Sequence, residues 1–377
     1  MKYPFLDLAQ LNEPLLPELE AAALRVIRSG RYIGGEENEA LNAELASFHH
    51  APFAIGVSNG LDALRLIIRG YIELGIMKPG DEIIVPGNTY IASLLAVSDN
   101  GLTPVPVDPD IATMNLDAAK VEAAITPRTR AIMPVHLYGR VAWDENLRRV
   151  ALDHDLKVIE DCAQAIGAVS PADGIFSSRN AGALGHAGAI SFYPTKNIGA
   201  LGDAGAVITH DPELAAAVKA LANYGSDRRY HNIYRGLNCR LDPIQAAMLR
   251  VKLKHILEEN SDRSINASIY DELITNPQVI KPMIPQQASE CVWHQYVIRV
   301  PSQQRDTFRE QLKQQGVGTD VHYATPPHLQ PCYASLPHGP LPVTEQLASE
   351  VVSLPITSAT TPGDITAISE IINSIQL

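Results

Sequence analysis

Between residues 60 and 220 the chain alternates short apolar runs, at 82–85, 103–107, 131–135, 157–159, 187–192 and 204–209, with amphipathic stretches at 62–74, 116–124 and 145–154. Parallel strands cannot be joined by a tight turn; they need a crossover of a dozen residues or more, and that crossover is usually a helix. The alternation therefore predicts an α/β fold built from crossover units around a mostly parallel sheet. The runs are apolar at consecutive positions, as strands covered by helices on both faces require.

With 377 residues and 46% apolar composition, the chain can bury two cores. We expect a large domain over residues 1–255 and a smaller C-terminal α+β domain over 256–377. A helical pattern over 241–257, opened by Asp242 and Pro243, forms the expected bridge between them. Beyond it the pattern predicts a strand at 294–300, a helix at 303–315, a strand at 318–323, a Pro-rich surface loop at 325–342 and a closing helix at 361–375.

The formal net charge of −12 argues against a nucleic-acid binder, which needs a basic face. No run approaches the eighteen or so apolar residues of a membrane span. Cys162, Cys239, Cys291 and Cys332 are scattered without a CxxC pair, and the opening residues are short of a secretory pattern, so the expectation is a reduced, cytoplasmic protein. His49, His50 and His136 have no companions at metal-ligand spacing, so no metal site is expected.

The chemistry concentrates after two apolar runs. One ends in Glu160-Asp161-Cys162-Ala163-Gln164, and a later one leads into Ser191-Phe192-Tyr193-Pro194-Thr195-Lys196-Asn197-Ile198-Gly199. A carboxylate at one strand end and a lysine after another are what a pyridoxal phosphate (PLP) site requires, the first for the ring nitrogen and the second for the aldehyde. Asn59-Gly60-Leu61-Asp62 opens a helix whose amides suit a phosphate, and Tyr90 follows a strand end where it can stack on a ring. Taken singly, each has an ordinary reading: Asp161 as a helix cap, Asn238 and Arg240 as turn and ion-pair residues, and Arg228, Arg229 and Arg235 as a solvated loop. The run Gly199 to Gly205 follows the lysine and fails the dinucleotide pattern.

The ordered set Asn59-Gly60, Thr89-Tyr90, Glu160 to Gln164, Ser191 to Asn197 and Gly236-Leu237-Asn238-Cys239-Arg240-Leu241 resembles the DegT/DnrJ/EryC1/StrS sugar aminotransferases, which are fold-type I PLP enzymes. The resemblance implies that Lys196 bonds the cofactor aldehyde, that Asp161 meets the pyridine nitrogen, and that Gln164 lies near the ring hydroxyl. It implies further that Ser191 with the Gly60 and Leu61 amides holds the phosphate, that Tyr90 stacks on the ring, and that Asn238 reaches the phosphate of a neighbouring subunit in a homodimer with shared active sites. The implied reaction cycles between PLP and its pyridoxamine form (PMP), with L-glutamate as donor and a nucleotide-linked keto sugar as acceptor.

Within that family, Gly60 to Leu64, Asn223 to Ser226, Val321-His322-Tyr323 and Pro326-Pro327-His328 are most similar to enzymes that aminate C3 of dTDP-3-keto-6-deoxyhexoses. His322, Tyr323 and Tyr193 would then face the sugar, with Arg228 and Arg229 on the diphosphate. Amination at C4 of a UDP- or dTDP-linked 4-keto sugar is the alternative, and a non-catalytic PLP-binding regulator a further one.

Overall fold

The computed structural model describes residues 1–376. Seven strands form the main sheet: β1 (Phe53–Val57), β2 (Glu82–Pro86), β3 (Thr103–Val107), β4 (Thr129–Ile132), β5 (Lys157–Asp161), β6 (Ala187–Ser191) and β7 (Gly205–Thr209), in the order β1-β7-β6-β5-β4-β2-β3. Every neighbouring pair from β3 to β6 is parallel. β7 runs against both β6 and β1, so the sheet is mostly parallel with one reversed strand.

Side chains alternate across the sheet with the strand period of two, and both faces are buried. Ile84, Ile132, Val158, Ile190 and Ile208 point into one core with the helices Glu36–His49, Glu145–Asp153 and Pro243–Leu253. Ile83, Ala131, Ile159, Ala189 and Val207 point into the other, against Gly60–Glu73, Ile91–Ser98 and Pro212–Ala222. This double burial is why the strands read as continuous apolar runs.

A third core gathers Tyr270, Tyr296, Phe308, Leu312, Val352 and Ile368, with Tyr3 from the opposite end of the chain. It is built on a two-stranded antiparallel ribbon of β10 (Tyr296–Arg299) and β11 (Val351–Leu354). A small separate hairpin, β8 (Ser226–Arg228) with β9 (His231–Asn232), follows the helix Pro212–Ala222.

Three expectations change. The helix expected over 241–257 is two helices, Pro243–Leu253 and Ile256–Leu273, parted at Lys254 and His255. Both joint residues keep near-helical dihedrals, so the apolar rhythm runs through the break unaltered. Residues 318–323 form no strand: a single bridge pairs Asp320 with Ser353, and the chain then turns. The Pro-rich stretch holds two 3₁₀ turns, Pro327–Leu329 and Pro331–Tyr333, whose His328 and Tyr333 are buried. Among the described residues no helix is long and apolar enough to cross a membrane.

Candidate active site

The C-terminal ends of β1, β2, β5 and β6 lie along one edge of the sheet, where ligands of open α/β sheets bind. β5 ends at Asp161, which is buried. Its Oδ2 accepts from Ser93 Oγ at 2.8 Å and its Oδ1 from the Ala163 amide at 3.1 Å. The cap-like bond to Ala163 does form, yet no helix follows it, so the carboxylate is fixed without being consumed by a helix end.

β6 ends at Ser191 and the chain folds into a tight turn carrying Lys196, closed by Lys196 N to Tyr193 O at 2.8 Å and Ala200 N to Phe192 O at 2.8 Å. The turn needs glycine at its far side: a Cβ on Gly199 would stand 2.2 Å from the Pro194 carbonyl. Lys196 is half-buried, and loss of solvent pushes its ammonium down to about 8 against the opposing pull of the Asp161 charge.

Asn197, beside the lysine, is buried and anchors the turn. Its Nδ2 donates to Asn260 Oδ1 at 2.8 Å and to the Val292 carbonyl at 3.1 Å, so its Oδ1 must accept, and it does so from His294 Nδ1 at 2.9 Å. Ser93 and His294 escape a reading of motifs because each is an ordinary polar residue by itself, and Asn197, though part of the lysine motif, has no role that its neighbours in sequence reveal. The one available signal is that Ser93 lies one helical turn after Thr89, whose hydroxyl it meets at 2.9 Å.

β1 leads into the helix Gly60–Glu73, capped by Asn59 Oδ1 on the Asp62 amide at 2.8 Å. That leaves the Gly60 and Leu61 amides as leading donors. Ser191 lies against this helix start: a Cβ on Gly60 would come within 2.6 Å of Ser191 Cβ. Gln164 is buried, takes the Tyr138 amide on its Oε1 at 2.5 Å and therefore offers Nε2, which reaches the Tyr323 hydroxyl at 3.1 Å. Tyr90 and Tyr323 lie 5.2 Å apart by ring centroid. Tyr193 is exposed nearby, and His322 is pinned to Ser353 Oγ at 2.8 Å.

Asn238, Arg228 and Arg229 are not gathered into this cluster. All three are exposed, on the β8/β9 hairpin and the strip that follows. Arg228 and Arg229 line a cleft of about 970 Å³ with Ile33, Phe53, Ile55 and Tyr230, which none of the lysine-site residues borders.

His136, without companions in sequence, meets Glu160 and Cys162 in space, with ligating atoms within 4.8 Å of one another. Glu160 and His136 are already engaged, and the Cys162 thiol donates to Glu160 at 3.7 Å. Glu160 accepts from the amides of Gly182 and Gly185 and from His136 Nε2, while His136 Nδ1 accepts the Ala142 amide. It braces the strand end on both sides of Asp161.

Residues 16–373 match the model of the DegT/DnrJ/EryC1/StrS aminotransferase family. The chain is 46% identical over 370 residues to the dTDP-3-amino-3,6-dideoxy-alpha-D-galactopyranose transaminase of Aneurinibacillus thermoaerophilus, covering 98% of each. Its fold is similar to DesV of S. venezuelae, solved in complex with a ketimine intermediate (TM-score 0.92, 44% identity, 99% of this chain and 98% of that one). It is also similar to NtdA of Bacillus subtilis, solved with bound cofactor PMP (TM-score 0.88, 29% identity, 99% and 86% covered). Sequence, fold and the lysine and carboxylate at one sheet edge agree, and the chain belongs to the DegT/DnrJ/EryC1/StrS aminotransferase family.

Proposed function

We propose that the chain is a PLP-dependent aminotransferase that moves the amino group of L-glutamate onto C3 of a dTDP-3-keto-6-deoxyhexose. The observation that carries this reading is half-buried Lys196, whose ammonium feels the Asp161 charge, past the end of the strand beside the one that Asp161 ends. The similarity to a dTDP-sugar transaminase over nearly the whole chain supports the acceptor.

The residues suit a phosphorylated pyridine. Glycine at position 60 lets Ser191 close against the helix start, since a Cβ there would come within 2.6 Å of Ser191 Cβ, and the Ser191 hydroxyl beside the first helix amides is what a phosphate needs. Asp161 would face the ring nitrogen, Gln164 the ring hydroxyl, and Tyr90 the ring face. When bound, the cofactor supplies an electron sink and a carrier for the amino group.

The chain's own part is positioning and proton transfer. With its ammonium pushed down to about 8, Lys196 holds an appreciable neutral fraction near neutral pH, so Nζ can collect the α-proton of the donor and release it later. Ser93 and Ala163 keep the Asp161 oxygens in place. Burial and the Asp161 charge both raise the Tyr323 phenol, which keeps a neutral hydroxyl at the sugar side with His322 and Tyr193.

The exposed arm supports a homodimer in which Asn238 reaches the neighbour's phosphate and Arg228 and Arg229 the diphosphate. Tyr230 at its tip is 87% exposed, and Ile233 and Leu237 are exposed along it. The separate C-terminal core supports residues 256–377 as the smaller domain.

An absorbance titration tests the function. PLP should give the visible band of lysine-bound cofactor, L-glutamate should bleach it, and dTDP-3-keto-6-deoxyhexose should restore it. Restoration by a UDP-linked 4-keto sugar instead would move the reaction to C4, and no response to glutamate would remove the transaminase reading.

A further inference from the structure

A second cavity, of about 220 Å³, lies beside the lysine turn and is bordered by Thr195, Arg263, His294, Gln295, Asp320 and His322. Thr195 precedes Lys196, yet Lys196, Asp161 and Gln164 do not border the space. It is an annex to the reacting groups, offset from them by one residue of the turn.

Its charge balance is unusual. Arg263 is 3% exposed, and its Nη1 is spent on the carbonyls of Trp293, His294 and Ile356 at 3.3, 3.4 and 2.8 Å. Its Nε has no hydrogen-bond partner among the described residues. The carboxylate that acts on it is Glu259, one turn earlier on the same helix, and among the described residues the two form no ion pair. Burial pushes the guanidinium down to about 10, the signature of a cation short of a counter-charge. A buried charge is costly unless something pairs with it.

The other groups do not supply the missing anion. His294 gives its Nδ1 proton to Asn197 and is held neutral by burial and by the cations around it. Gln295 is 6% exposed with an unpartnered Oε1, so no bond at that atom fixes which end of its amide faces the space. Asp320 is at the rim, 56% exposed in its side chain and 3.7 Å from His322.

We propose that this cavity is a carboxylate subsite, taking the distal carboxylate of a dicarboxylic amino donor with Arg263 as its counter-charge. The inference rests on the transaminase reading. The offset selects the distal group: an α-carboxylate stays one bond from the reacting carbon, whereas only the longer arm of the donor reaches an annex that Lys196 does not border. A neutral side chain of the same length fills the space but leaves the guanidinium unpaired.

The test compares half-reaction rates of the holoenzyme with L-glutamate and with L-glutamine, its neutral isostere. Wild type should favour glutamate by about 10–100-fold, the range of a charge-assisted hydrogen bond. In Arg263→Met that ratio should collapse toward one, and Arg263→Lys should recover part of it. A ratio that survives in Arg263→Met while both rates fall together would make Arg263 a strut for its three carbonyls and overturn the proposal. Should that variant fail to fold, wild type alone decides: glutarate should bind in calorimetry and compete with L-glutamate, and glutaramide should not. Equal behaviour of the two compounds, or equal rates with glutamate and glutamine, sinks the subsite and leaves transamination standing. An enzyme inert with every amino donor overturns the transaminase reading and the subsite with it.

Discussion

The lysine turn and the arm of residues 224–240, which carries the β8/β9 hairpin, differ in what they leave exposed. Around Lys196, neighbouring polar groups are bonded within the chain: Asn197 to Asn260, Val292 and His294, and Asp161 to Ser93 and Ala163. Along the arm, Tyr230, Ile233 and Leu237 face outward and Asn238 is exposed. The arm is bonded within the chain as well, through Tyr224 N to the Leu237 carbonyl at 2.7 Å and Asn232 Nδ2 to the Tyr224 carbonyl at 2.8 Å, so what sets it apart is the apolar surface it leaves exposed, the kind that marks an interaction face.

The severest way to test that contrast is Lys196→Ala. The Lys196 side chain carries none of the bonds that hold the turn, which run through the backbone and the Asn197 side chain, so the variant should keep its fold. Turnover should fall by at least about 10³-fold with loss of the visible band on PLP addition, because general base and covalent anchor go together. A normal band would break the assignment, and a collapsed fold would break the claim that Asn197 holds the turn.

Asn238→Ala probes the arm. It should weaken cofactor retention by about 1.5–3 kcal/mol, the range of a hydrogen bond to a charged group. Mixed with Lys196→Ala protomers under confirmed subunit exchange, it should return part of the lost activity, since one site of each mixed dimer is then intact. No gain on mixing would make the arm as self-contained as the turn.

The smallest effect is electrostatic. In cofactor-free protein, Lys196 has a folded value of about 8 against an ordinary 10.5, so between those values the unfolded chain binds the extra proton. Stability from this group therefore rises with pH across that window. Lys196→Met should raise the melting temperature at pH 7, and its advantage should shrink as pH climbs through 8 toward 10.5. An advantage independent of pH would attribute the gain to packing alone.

Much of this was legible in the chain. Parallel strands buried on both faces announce themselves as apolar runs; Asp161 ends one of them, and Lys196 lies in the turn that follows the next. What stayed hidden depends on distance in space. Nothing near Asn197 in sequence points to His294, 97 residues on. The same holds for His136, whose partners come from the next strand. The break at Lys254 was masked because its dihedrals remain near-helical, and Asp320 pairs through one bridge, too little to impose a strand's alternation.

The reversed strand β7 also sets a schedule. β1 carries the chain into the Gly60 helix, yet β7 is its neighbour in the sheet. On a ribosome β1 therefore waits for about 150 further residues, roughly 7–30 s of synthesis, before its sheet partner exists. The lysine's strand is complete before then, and until β7 emerges β1 is an apolar strand without its sheet partner, the segment a chaperone would need to guard.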